Sequence, residues 1–236
     1  MIQRMLAGGL IAGFAAGLLA AVLHFAFLQK LILLGEQYET GALVHFENAH
    51  ADTSAEGHDH GAEGHAHGEP ASGATRNALT VLFTALTYAS YGLLLAAGFA
   101  FAEHLGHRID PREGLLWGAA GFAVFQLLPS LGLPPELPGA VAADITERQI
   151  WYFGTVAASG IGLALIAYGG GIPAAVIGAA LLAAPHLVGA PHLDEYAGTV
   201  PPELEGQFVA RALGVGFITW AVLGALAGRL WSRGEA

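Results

Sequence analysis

Long apolar stretches alternate with shorter polar ones along most of the chain. They run from about Met5 to Leu34, Ala78 to Ala102, Gly114 to Leu133, Ile150 to Tyr168, Ile172 to Val188 and Phe208 to Leu230. A helix needs roughly 20 predominantly apolar residues to cross a bilayer. The pattern predicts an all-α polytopic membrane protein, a single transmembrane domain over residues 1–236, with about six helices arranged as hairpins. The fifth stretch is short and holds Pro173, Pro185 and His186, so a tilted or re-entrant segment, and five spans in all, is the alternative. The first stretch begins like a signal peptide, with Arg4 and small residues. It is too long for one and lacks a clean cleavage site, so a retained helix is expected. Gly9, Gly13 and Gly17 lie four apart and predict a face where another helix approaches closely.

Composition agrees with the pattern. Charged residues make up 12% of the chain, against about 25% in an ordinary soluble domain. There are no cysteines, which removes disulfides, iron–sulfur clusters and thiolate metal sites. The net charge of -10 is unevenly placed. With six spans, one side holds the N-terminus, the 103–113 loop, the 169–171 turn and the C-terminal tail, with Arg4, Arg108, Arg112, Arg229 and Arg233. The other side holds the loops 35–77, 134–149 and 189–207, which carry most of the acids. Short basic loops mark the cytoplasmic side. Both termini are therefore expected in the cytoplasm, in the inner (plasma) membrane, with the acidic loops outside.

Between the first two apolar stretches lies a flexible His- and acid-rich loop, residues 40–76. Its centre reads "GHDHGAEGHAHGE". Neutral imidazole is the commonest side-chain metal ligand, and imidazole with carboxylate suits borderline divalent ions. His45, His50, His58, His60, His65 and His67 are the candidate metal-capture residues; the blander alternative is a polar linker. Its glycines argue for capture rather than for a preorganised catalytic site.

Ionisable groups in or beside membrane segments are functional candidates by default. His24 sits in the first stretch, and Glu36 and Glu39 share a face beyond it if the helix continues. Asp144 and Arg148 are one helical turn apart and are expected to pair. "APHLVGAPHLDEY" brings His186 and His192 together with Asp194 and Glu195 after helix-breaking prolines. "LGLPPELPG" and "GTVPPELEG" echo each other two spans apart, so both are expected on the acidic face, and Glu136 belongs to the first. No phosphate-binding loop, H-E-x-x-H helix or basic nucleic-acid patch occurs.

Several of these stretches carry a resemblance over nearly the whole chain. "LILLGEQYE", the His/acid loop, "LLWGAAGFAVFQLLPSLGLPPELPG", "AADITERQIWYFGT", "APHLVGAP" and "VPPEL" resemble the CbtA family, the probable cobalt transporter subunits. Gly35 departs from it, standing where the family has alanine. The resemblance implies uptake of Co²⁺ for cobalamin synthesis, with Ni²⁺ and Zn²⁺ as related ions, no permanently bound cofactor and no enzymatic activity. It also implies a small single-helix CbtB-like partner. The residues then suggest an outer loop that captures the ion and a pathway through His24, Glu36, Glu39, Glu136, Asp144, His186 and His192. The alternative is a membrane-anchored metal sensor or scaffold that moves no ion.

Overall fold

The computed structural model describes residues 2–45, 73–193 and 198–234. Among them every named element is helical. Helix α1 (Ile2–Leu23) passes through a π segment (His24–Leu28) into α2 (Gln29–Glu39). Then come α3 (Gly73–His104) and α4 (Pro111–Phe122), the latter continued by a second π segment (Ala123–Leu127) and α5 (Leu128–Ser130). Helices α6 (Ile145–Tyr168), α7 (Gly171–Val188) and α8 (Pro202–Gly234) complete the bundle.

Five helices are long and apolar enough to cross a membrane: Met5–Glu39, Gly73–His104, Ile145–Tyr168, Gly171–Val188 and Pro202–Arg233. The fifth stretch is one of them, so the re-entrant alternative is not what forms: it is helical throughout, with Pro173 in the first turn, where a missing N–H costs no bond, and Pro185 in the last. Gly189, at φ +88°, then ends α7. The third stretch carries Trp117, Gln126, Pro129 and Ser130, which lower its hydropathy. It is nevertheless a continuous rod over residues 111–130, about 30 Å long at 1.5 Å per residue. The long helices also run past their apolar stretches. Helix α2 continues to Glu39, and α3 begins at Gly73, so the last residues of the expected loop are helical.

Small residues set the helix pairs. Gly9, Gly13 and Gly17 face Gly92, Ala89 and Ala85 of α3, as their spacing predicts; a Cβ at Gly17 would stand 2.6 Å from the Ala85 Cα. A second seam joins α4 to α8, where a Cβ at Gly114 would stand 2.6 Å from the Gly228 Cα. Lipid offers no hydrophobic drive between helices, so such backbone approach is what holds them. The core between α1, α3, α4 and α8 centres on Phe99, Trp220 and Leu223, each with no exposed surface. Outward-facing Ile150, Ile172 and Leu187 are 70%, 80% and 86% exposed, as lipid-facing side chains are.

The helices sort their connections to two ends. At one end the Trp231 indole donates to the Glu103 carboxylate, Gly8 meets Leu230, and the rings of His107 and Tyr168 stand 4.6 Å apart. At the other end Arg76 pairs with Glu36, Gly35 meets Leu137 and Pro138, and Gly139 meets Thr199. The loops thus group as the alternation of six rods requires.

Candidate functional site

Two helices lose their regular winding at the same level of the bundle. In an α-helix the Phe125 carbonyl would accept from residue 129, which is Pro129 and has no N–H. The chain winds into the second π segment there, and the Tyr152 hydroxyl donates to the Phe125 carbonyl at 3.1 Å. In the first π segment the Phe27 carbonyl accepts from the Arg211 guanidinium at 3.4 Å. Single-turn π segments recur at functional sites because they displace side chains and expose carbonyls.

A cavity of about 410 Å³ lies between the two π segments. Its polar lining comes from His24, Thr84, Tyr88, Gln126, Ser130 and Tyr152, from five different helices or π segments. Gly216 lies beside it, and any Cβ there would collide with the Gln126 amide. The Gln126 Oε1 is buried without a hydrogen-bond partner among the described residues, while the Tyr88 hydroxyl faces Gln126 and Thr219. Gln126 and Tyr88 were not among the sequence candidates. Gln126 had a signal, as the one amide inside the apolar run "GFAVFQLL".

Toward the acidic end, the cavity is covered. Leu133 and Pro135 line it, and Leu137 packs beyond them with Leu28, Leu31, Val200 and Phe208. The two Pro-Pro-Glu-Leu stretches meet here: Leu204 packs on the cluster that buries Leu137, and Ala140 bridges to Gly198. Glu136 accepts from Arg148 at 2.7 Å. The expected pairing of Arg148 with Asp144 is not what forms. The Asp144 carboxylate instead turns to the end of its own helix, accepting from the amides of Thr146 at 2.8 Å and Glu147 at 3.2 Å. Those backbone donors hold its pKa below the usual aspartate value.

The other candidates are placed as follows. Helix α2 does continue through Glu36 and Glu39, but one Arg76 nitrogen holds both Glu36 oxygens, at 3.0 and 3.1 Å, and Glu39 lies against Gly139. His186 belongs to α7, its ring 5.9 Å from Trp151 and its Nε2 buried without a hydrogen bond among the described residues. It stands beside a larger groove of about 580 Å³ between α6 and α7, whose lining is apolar apart from Glu147 and Thr155. His192 is exposed beyond α7. The structure therefore separates His186 and His192 from His24. Among the described residues no three His, Asp or Glu side chains converge as a metal site. His45 is exposed at the start of the loop; His50, His58, His60, His65 and His67, with Asp194 and Glu195, lie outside the described residues.

The larger groove has the volume but not the chemistry. The smaller cavity has an imidazole, an amide, hydroxyls and two irregular helices around one space, and it is the candidate site. The model of the family described as "Probable cobalt transporter subunit (CbtA)" matches residues 2–232, nearly the whole chain. No curated protein and no solved structure matches it.

Proposed function

The chain belongs to the CbtA family of probable cobalt transporter subunits, and we propose that it carries Co²⁺ into the cell through the cavity between its two π segments. It is a multi-pass membrane protein of a transporter subunit family, which is not an enzyme family.

The observation that carries the reading is a polar cavity walled by two irregular helices inside an apolar bundle. Polar groups at membrane depth mark ion pathways, and irregular backbone is tolerated there where it lines a cavity. The volume suits a divalent ion that keeps part of its water shell. One imidazole, His24, suits Co²⁺, with Ni²⁺ and Zn²⁺ as its chemical neighbours. The remaining donors are neutral oxygens. Such a set holds the ion weakly, which favours release as well as entry.

The acidic end supplies the approach. Glu36, Glu39, Glu136 and Asp144 belong to that end; Arg76 and Arg148 pair with two of them, and the excess of acids in these loops supports a field that concentrates cations. Glu36 and Glu136 act there as paired mouth residues, with His186 and His192 at the rim. The histidines of the loop at 40–76 collect the ion from outside. The arginines at the opposite end support cytoplasmic termini in this reading, by the positive-inside rule. An inside-negative potential supplies about 4.6 kcal/mol for a divalent ion per 100 mV. A small single-helix CbtB-like subunit is the partner in this reading, for use in cobalamin synthesis.

The test is Co²⁺ flux into vesicles holding the purified chain, with and without that partner, under an inside-negative potential. Potential-dependent flux is the expected result. Binding without flux in both preparations leaves a membrane-anchored sensor or scaffold.

A further inference from the structure

We infer that residues 131–144 form the gate of the cavity at its acidic end, with Leu137 as the plug and the Glu136–Arg148 ion pair as the latch. The inference rests on the reading above, in which ions pass through the cavity.

The two ends of the cavity are closed by different means. Toward the termini stand Tyr88, Phe125 and Trp220, the last two stacked with centroids 5.7 Å apart. They sit between helices locked by the two glycine seams, so opening that end requires whole helices to part. The acidic end is closed by a non-helical connection between α5 and α6. Leu133 and Pro135 form its inner face on the cavity. Leu137, 3% exposed, seals against Leu28 and Phe208.

Among the described residues little backbone hydrogen bonding ties this strap to the rest. Thr199 donates to the Gly139 carbonyl from its amide at 3.4 Å and from its hydroxyl at 3.3 Å. Pro134, Pro135 and Pro138 stiffen the strap, so it is built to move as a unit. Its ends are fixed at α5 and at the Asp144 cap. Among the described residues the remaining hold is side-chain contact and the partly screened Glu136–Arg148 ion pair. The structure is thus the state closed at the acidic end.

The chain has no cysteines, which gives a clean background for the test. A Cβ at Gly35 stands 3.4 Å from the Leu137 Cβ, close to the roughly 3.5–4.5 Å that a disulfide needs. The double variant Gly35→Cys/Leu137→Cys, oxidised in vesicles and checked for the cross-link, is expected to lose Co²⁺ flux and to regain it on reduction. Full flux through the cross-linked protein overturns the gate. A second measurement needs no flux at all. Ser130→Cys places a thiol on the cavity wall, and a water-soluble thiol reagent is added from the acidic side. Adding Glu136→Gln is expected to speed labelling about fivefold, the scale of one screened ion pair. An unchanged rate overturns the latch. Absence of flux in the wild-type chain contradicts the transport reading alone, because the labelling still reports on the gate.

Discussion

The Tyr152 hydroxyl donates to the Phe125 carbonyl across 3.1 Å, serving the acceptor that Pro129 leaves without a backbone donor. One side chain of α6 thereby stabilises the irregular turn that widens the neighbouring helix. Replacing Tyr152 by Phe keeps the ring and removes the donor. An unpaired buried carbonyl costs about 1–3 kcal/mol, so thermal unfolding in lipid nanodiscs is expected to fall by that amount. An unchanged midpoint means that the carbonyl has another partner.

The glycine seam between α1 and α3 gives a sharper contrast. A Cβ at Gly17 meets backbone at 2.6 Å, whereas one at Gly154 meets nothing within 4 Å. Gly17→Val is expected to cost about 1–3 kcal/mol or more through overpacking, and Gly154→Val to cost little. Yield of monodisperse protein and its unfolding midpoint check the pair.

Asp144 makes stability depend on acid. Its folded pKa is lowered by the Thr146 and Glu147 amides, so its contribution is present above the ordinary value of 3.8 and is lost as pH falls through the folded value. Asparagine caps a helix as well without titrating. Asp144→Asn is therefore expected to flatten the fall in stability below about pH 4, measured as unfolding midpoint against pH.

Deleting Gly57–Glu69 removes four histidines of the outer loop. Uptake is expected to drop at low Co²⁺ and to be spared at high Co²⁺, as for a collector that raises local concentration. Equal uptake at low metal contradicts the collecting role.

Most of the fold is legible in the hydropathy pattern, because a bilayer helix must be apolar around its whole surface. Gly9, Gly13 and Gly17 announce their seam by spacing alone. Gly114 and Gly118 are spaced the same way, but the helix they pack on lies a hundred residues downstream, and spacing does not name a partner. The helix ends ran further than expected because Glu36, Gln37 and Arg76 wind as readily in water as apolar residues do in lipid. The site was less legible. A π segment adds one residue to a turn without changing which residues are apolar, so only Pro129 hinted at it. His24 stood out as an ionisable residue in an apolar run. Gln126 and Tyr88 joined it only through the packing of α3 and α4 around α8. Arg148 lies one turn from Asp144 in sequence, yet it reaches Glu136, because the cap had already taken the aspartate.

Ala212 lines the cavity from α8 and makes no ion pair. Filling the space with Ala212→Phe, in vesicles where the wild-type chain carries Co²⁺ under an inside-negative potential, tests the route itself. The expected result is flux reduced to background with the unfolding midpoint retained. Wild-type flux through a folded, filled variant contradicts the cavity as the path.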